Sequence, residues 1–122
     1  MIPYAELCVT SNFTFLQGAS HPEELVTRAD ELGLAAIAIT DRNSVAGVVR
    51  AFSALKELAR LRAEDGGNVS PPLPKLIAGA RVVLTDSVVE WLALPRDITA
   101  WSRLTRLLSL GKRRVPKGEC HL

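Results

Sequence analysis

The chain has 122 residues, 48% of them hydrophobic and 23% charged, and its formal net charge of +2 is too mild to identify a nucleic-acid binder. That length and composition supply one hydrophobic core, and two distant cysteines, Cys8 and Cys120, exclude a disulfide framework and favour a cytoplasmic location. No apolar run approaches the ~20 residues that span a bilayer, and the N-terminus lacks a signal-peptide pattern, so no membrane partner is expected.

The chain opens with a strand pattern from Tyr4 to Thr10, followed by a polar and aromatic loop over residues 11–19. Ser20 and Glu23 have the spacing of a capping box and predict the start of a helix. Gly33 is suited to the position just after a helix, so the helix is expected to stop there.

The next stretch is an apolar run from Leu34 to Ile39 that has no alternation, which predicts a parallel strand covered on both faces. Thr40 to Ser44 predict a tight turn, in which Asn43 or Ser44 caps the following helix. Ligands of α/β folds bind beyond the carboxyl ends of strands, so Asp41 and Arg42 should lie beside any site. The following helix is predicted to end near Glu64 and to bury Val45, Val48, Val49, Phe52, Leu55 and Leu58.

Residues 65–74 are rich in glycine and proline and predict a surface connection. Lys75 to Leu84 predict a third strand, in which Gly79 would allow another backbone or a ligand to approach. Val88 to Leu94 predict a fourth strand, and the short connection requires it to run antiparallel to the third.

Asp97 or Thr99 is predicted to cap a last helix that ends at Gly111, before a tail without periodicity from Lys112 to Leu122. The basic run over residues 111–117 is interpreted as a solvated loop, with phosphate contact as the alternative. Trp91 and Trp101 are expected in the core, with a stacking platform as the alternative for both.

The predicted order is β-α-β-α-β-β-α, which indicates an α/β fold with a mostly parallel sheet and right-handed crossovers. Three parallel strands and three helices make an incomplete unit, and the last strands would leave apolar edges uncovered. We therefore expect a piece of a larger barrel, or a homo-oligomer in which a second copy covers the edge.

Five stretches resemble the PHP (polymerase and histidinol phosphatase) domain of bacterial C-family DNA polymerases, and most closely the error-prone branch of the DNA polymerase III alpha subunit. They are Tyr4–Ser20, Gly33–Gly47, Ile77–Arg81, Leu107–Arg114 and Lys117–Leu122. The resemblance implies that residues 1–122 are the N-terminal half of a single PHP domain, part of a distorted (β/α)7 barrel. It implies as partners the remaining polymerase domains and, through them, DNA.

Metal-dependent members of that family hold divalent ions with His, Asp and Glu at the carboxyl ends of strands. The resemblance places Cys8 and Thr10 at the two His positions of the first motif, Arg42 at the His after Asp41, and Arg81 at the Glu of the third motif. A guanidinium group stays protonated and repels a cation, so the set is predicted to be degenerate, with no catalytic residue, no cofactor-binding residue and no metal.

We expect Arg42 or Arg81 to replace the metal by an ion pair with Asp41 or Glu6, and nucleic-acid phosphate is the alternative partner of the two arginines. Cys8 is expected to be a buried apolar residue, with a reactive thiol as the alternative. His21 should be exposed, and His121 with Cys120 has too few neighbouring ligands for a metal. Phe13 and Phe15 are expected to pack against the rest of the barrel or another polymerase domain.

The sequence therefore predicts a non-catalytic, structural PHP domain fragment that stabilises an error-prone polymerase used in damage-tolerant synthesis and DNA repair. The rival hypothesis is a residual metal-dependent phosphoesterase or 3′–5′ exonuclease, in which the missing half supplies ligands for Zn or Mn. Stoichiometric metal after purification would favour this rival.

Overall fold

The computed structural model describes residues 3–15, 17–64, 72–116 and 119–122. The strands are β1 (Ala5–Val9), β2 (Ala36–Arg42), β3 (Lys75–Val83) and β4 (Glu90–Ala93), and the helices are α1 (Pro22–Glu31), α2 (Ala46–Glu64) and α3 (Ile98–Arg113). One sheet has the spatial order β1-β2-β3-β4, with the first three strands parallel and β4 antiparallel to β3. The predicted α/β order and mostly parallel sheet of a partial (β/α) barrel are confirmed.

All three helices cover one face of this sheet. Ile37 and Ile39 on β2 pack with α1 and α2, and Trp101 on α3 joins the edge of that cluster. Ala80 and Val82 on β3 form a second cluster with α3. Because side chains alternate along a strand and the register pairs Ile39 with Ala78 and Asp41 with Ala80, these residues share one face.

The opposite face of the sheet carries small residues in its centre. Ala38 and Thr40 are fully buried there, and Thr40 is paired in register with Gly79 of β3. A Cβ atom on Gly79 would lie 2.7 Å from the carbonyl oxygen of Ala93 and 2.7 Å from the Leu94 side chain. The expected close approach of another backbone at Gly79 is thereby confirmed, and it comes from the β4 hairpin.

The helix boundaries follow local capping chemistry. Helix α1 begins one residue later than the predicted box, since the Glu24 carboxylate accepts a 3.4 Å hydrogen bond from the backbone N–H of His21, which is exposed as predicted. Gly33 adopts φ +70° just after α1, as its position predicted. The Asp97 carboxylate accepts from the Ala100 backbone N–H at 2.8 Å and begins α3.

The burial predictions for Val49, Phe52 and Trp91 are wrong. Val49 and Phe52 on α2 are 67% and 52% exposed, because α2 turns only the side with Val48 and Ala51 toward the core. Trp91 is 59% exposed on the edge strand β4, whereas Trp101 packs against the core as expected. Helix α3 also continues through Gly111 to Arg113.

The predicted surface connection at 65–74 lies mostly outside the described residues. Within the described part of the chain, no helix combines the length and apolar character needed to cross a membrane.

Candidate functional site

The turn from β2 into α2 positions the residues predicted to lie beside a site. Asn43 adopts φ +47°, a left-handed conformation that Asn tolerates and that turns the chain away from the sheet. Its side chain continues the strand pairing: Nδ2 donates to the Val83 carbonyl at 3.2 Å, and Oδ1 accepts from the Val83 N–H at 2.9 Å. Ser44, one of the two predicted caps, accepts from the Ala46 N–H at 3.1 Å and begins α2.

Asp41 is the centre of a buried hydrogen-bond network and is only 1% exposed. Its Oδ1 accepts from the Ser11 backbone N–H at 2.7 Å and from the Thr14 hydroxyl at 2.7 Å, while Oδ2 accepts from the Ser11 hydroxyl at 2.6 Å. The Thr14 hydroxyl in turn accepts from the Arg42 backbone N–H at 3.0 Å. Both carboxylate oxygens therefore tie the loop after β1 to the end of β2.

Gly47 in the first turn of α2 is required by this network. A Cβ at that position would lie 2.9 Å from Oδ2 of Asp41, 3.0 Å from Oγ of Ser11 and 3.2 Å from Cγ of Pro22. Glycine therefore lets the N-terminal end of α2 approach the buried carboxylate, where the helix dipole favours a negative charge.

Arg42 and Arg81 are register partners on neighbouring parallel strands, but neither pairs with Asp41 or Glu6. Arg81 is held by the side-chain oxygen of Gln17 and by the Glu90 carboxylate, 3.2 Å from its Nε. The Nε–H of Arg81 does not point at a Glu90 oxygen with hydrogen-bond geometry, so this contact is an ion pair without a hydrogen bond. The predicted ion pair with Asp41 is wrong because uncharged donors already satisfy that carboxylate.

Cys8 is exposed, and the prediction that it is buried is wrong. The pairing of β1 with β2 shifts register between Glu6 and Val9, and this irregularity interrupts the alternation that would have placed Cys8 inward. Thr10, the second ligand position of the first motif, is half-buried just after β1.

These positions do not fit a divalent metal. Asp41 has both oxygens bound to donors, Arg81 brings a fixed positive charge, and Thr10 offers only a neutral hydroxyl. Across the described ranges, no three His, Cys, Asp or Glu residues are grouped so that they could hold a metal ion.

A cleft of about 840 Å³ opens at the carboxyl ends of the parallel strands, where the sequence placed the site. Its charged lining residues are Arg42, Lys112 and Glu119. The loops after β1, β2 and β3 and the end of the chain complete its walls, contributing Phe13, Thr14, Phe15, Gln17, Asn43, Ser44, Val83, Leu84, Thr85, Cys120 and His121.

Residues 119–122, which we call the C-terminal strap, fold back onto the end of α3. The Leu122 carbonyl accepts from both the N–H and the hydroxyl of Thr85, each at 3.0 Å, and the His121 N–H donates to the Gly111 carbonyl at 3.0 Å. The Leu122 side chain packs against the second core cluster. Burial raises the pKa of the Cys120 thiol, and the nearby Lys112 ammonium offsets part of that effect.

Sequence reasoning missed Ser11, Thr14 and Gly47. Their signal was present, because Ser11 and Thr14 lie in the loop after one parallel strand and Asp41 ends the next, so their side chains meet at one edge of the sheet. The strap was missed because its residues have no periodicity and make their contacts one at a time.

The sequence pattern of the PHP domain family matches residues 6–118. The chain is 58% identical over 142 aligned positions to an error-prone DNA polymerase from Ruegeria pomeroyi, covering 98% of this chain and 13% of that protein. It is 53% identical over 119 positions to an error-prone DNA polymerase from Rhodopseudomonas palustris (strain BisA53), covering 98% of this chain and 10% of that protein. The chain thus spans only about a tenth of the length of these relatives.

Two solved structures share the fold. An amidohydrolase from Chromobacterium violaceum, with bound sulfate and no metal, aligns with a TM-score of 0.60 and 22% identity over 89% of this chain and 33% of that one. A Bifidobacterium adolescentis protein described as a metal-dependent phosphoesterase aligns with a TM-score of 0.57 and 23% identity over 92% of this chain and 35% of that one. At these identities the likeness establishes fold alone.

Proposed function

This chain belongs to the PHP domain family, and from that membership we propose that it is the N-terminal half of a catalytically degenerate PHP domain. In this proposal the domain acts as a structural scaffold for a longer error-prone DNA polymerase, as its relatives are named. Its partners are the remaining domains of the polymerase and, through them, DNA. Damage-tolerant synthesis, DNA repair and a cytoplasmic location are then properties of the whole enzyme.

The use of Asp41 is the observation that carries the proposal. In a metal site its carboxylate would face an ion, whereas here it accepts three hydrogen bonds from Ser11 and Thr14 and is closed off by α2. A group used in this way holds two loops and a helix together. The neighbouring Arg81 is likewise held within the fold, by Gln17 and Glu90.

Scaffolding also accounts for the surfaces that this half leaves open. Among the described residues β1 and β4 are the edges of the sheet, and β4 exposes Trp91 and Leu92. Further strands of a barrel would cover these edges. Pairing with a second copy of this chain is the alternative cover.

The test compares stability with polymerase activity in a polymerase that carries this sequence at its N-terminus. Asp41→Ala should lower the thermal stability of the enzyme and the yield of folded protein, while leaving nucleotide incorporation per folded molecule unchanged. Arg28→Ala, which removes only an exposed pair with Glu31, is the control. A loss of incorporation in Asp41→Ala enzyme that remains fully folded would contradict a purely structural role.

Residual hydrolysis is the competing function, and metal content tests it separately. The proposal predicts substoichiometric Zn and Mn in the chain purified without chelators, and no release of nucleotides from a single-stranded DNA 3′ end. Stoichiometric metal together with metal-dependent release would establish the phosphoesterase or exonuclease alternative.

A further inference from the structure

The outer surface of α2 carries a stripe of largely exposed side chains. Val49 is 67% exposed and Phe52 is 52% exposed, and the exposed Lys56 continues the stripe at helical spacing. The Lys56 ammonium lies 5.3 Å from the centroid of the Phe52 ring. We call these three residues the α2 stripe. Apolar side chains that adjoin on an exposed surface mark an interaction site more often than scattered ones do.

Completion of the barrel would leave the α2 stripe uncovered, because α2 is the middle helix of its layer. It connects the two central strands, β2 and β3, and it packs beside α1 through the first core cluster and the ion pair of Arg62 with Asp30. Trp101 of α3 reaches the same cluster. Further strands can pair only at the edges β1 and β4, so their helices would join the outer ring beyond α1 and α3. Whatever covers the stripe therefore lies outside the barrel.

The stripe carries a cation that the rest of α2 does not neutralise. Within residues 3–15, 17–64, 72–116 and 119–122, Lys56 has no hydrogen bond or ion pair beyond its contact with the Phe52 ring. Both carboxylates of α2, Glu57 and Glu64, are engaged by Arg60, at 2.6 and 2.5 Å. An exposed ring with an uncompensated cation over it complements a surface that offers an apolar side chain and a carboxylate. The partner of the stripe is thus expected to be both apolar and acidic.

We propose that the α2 stripe docks a segment of the longer polymerase chain outside residues 1–122, one that presents an apolar side chain to Val49 and Phe52 and a carboxylate to Lys56. This inference rests on the proposed scaffold role and assigns that role to a surface. The chain spans 13% and 10% of the two polymerases described above, so most of such a protein would be covalently attached to it. Attachment gives a segment of the same chain a high effective concentration, and a small patch is then sufficient to hold it.

Carbodiimide cross-linking tests this docking in a polymerase that carries this sequence at its N-terminus. The reagent joins an ammonium group to a carboxylate that it contacts, and mass spectrometry of the digested enzyme identifies the two residues. Lys56→Arg keeps the positive charge but removes the reactive amine. Phe52→Ser removes the ring from the stripe, and Leu61→Ser, at a position that is 44% exposed on the opposite side of the same helix, is its matched control. Circular dichroism verifies that each variant is folded.

We expect Lys56 to couple to an Asp or Glu outside residues 1–122 of the same molecule. Mixing isotopically heavy and light enzyme before cross-linking distinguishes a link within one molecule from a link between two. Lys56→Arg should abolish the link. Phe52→Ser should lower its yield about fivefold or more, because an aromatic side chain at the centre of an interface contributes a large share of the binding energy. Leu61→Ser should change the yield by less than about twofold.

Three results would overturn the inference. Absence of a link from Lys56 to the rest of the polymerase, or equal loss of the link in Phe52→Ser and Leu61→Ser, would remove the α2 stripe as a docking face. A link that joins heavy to light molecules would assign the stripe to a second copy of the chain instead. Each of these results leaves the scaffold proposal intact, because Asp41→Ala tests that proposal without changing the stripe.

Discussion

The two ends of the sheet are built differently. At the β1–β2 end, Asp41, Ser11 and Thr14 are buried and mutually hydrogen-bonded, and α1 and α2 cover Ile37 and Ile39. At the β4 end, Trp91 and Leu92 face solvent, and the cluster that α3 forms with β3 reaches only Ala93 of β4. The difference is that a buried hydrogen-bond network fixes the loops at the first end, whereas the second end is held by the packing of its small cluster and exposes the largest side chain of its edge strand.

The largest expected loss of stability follows from Asp41→Ala, which removes the centre of the hydrogen-bond network at the β1–β2 end. The substitution leaves one buried N–H and two buried hydroxyl groups without their acceptor, and we expect a loss of about 3 kcal/mol in the free energy of unfolding. Urea denaturation of the 122-residue chain measures it. Asp86→Ala, in the exposed turn before β4, is the matched control and should change stability by less than about 0.5 kcal/mol. Equal losses in the two variants would mean that Asp41 is not the centre of this end.

Gly47→Ala tests the same end from the helix side. Alanine favours a helix interior by about 1 kcal/mol, but its Cβ would meet the Asp41 and Ser11 oxygens at 2.9 and 3.0 Å. We expect the contact to dominate and to cost about 2 kcal/mol on balance, measured by the same denaturation. Ser53→Ala, exposed on the same helix, should instead stabilise by a few tenths of a kcal/mol. A stabilising Gly47→Ala would show that α2 can move away from the carboxylate.

This contrast also separates what the sequence predicted from what it could not. Element types and strand directions followed from apolar periodicity and turn residues, so the order of strands and helices was predictable. The hydrogen-bond partners of Asp41 could not be predicted from the sequence. Three uncharged donors in one loop satisfy a carboxylate as well as one arginine does, and only the folded loop decides between them. Cys8 and Trp91 were misplaced because burial on an edge strand depends on register and on neighbours that periodicity does not encode.

The C-terminal strap lies at the second end, where it packs against the end of α3. A Cβ at Gly111 would meet Leu122, the Cys120 sulfur at 2.8 Å and the His121 carbonyl oxygen at 2.9 Å, so Gly111→Ala should displace the strap. We expect a cost of about 1 kcal/mol, since mainly local contacts are lost. The direct readout is alkylation of Cys120 in a Cys8→Ser background, which should become faster.

The pH dependence of that alkylation gives a second check. Burial raises the folded-state pKa of the Cys120 thiol, so the thiolate forms at higher pH in the folded chain than in the unfolded one. The protonated Cys120 thiol therefore favours the folded chain. Its contribution to the free energy of unfolding is present below the unfolded pKa, about 8.5, and is lost as the pH rises through the folded pKa. In Gly111→Ala the alkylation profile should shift to lower pH. An unchanged profile would mean that the strap does not shield the thiol.

The smallest effect on the free energy of unfolding is expected at β4, the edge strand of the second end. Trp91 is 59% exposed, so Trp91→Ser should change the free energy of unfolding by less than about 0.5 kcal/mol. The same substitution should raise solubility and reduce any self-association seen by sedimentation, because it removes the largest apolar side chain from an uncovered edge strand. Thr27→Ser, at an exposed position on α1, is the control variant for the solubility and sedimentation measurements. A large loss of stability would show that Trp91 already contributes to the core of the isolated chain, and the second end would then be as self-sufficient as the first.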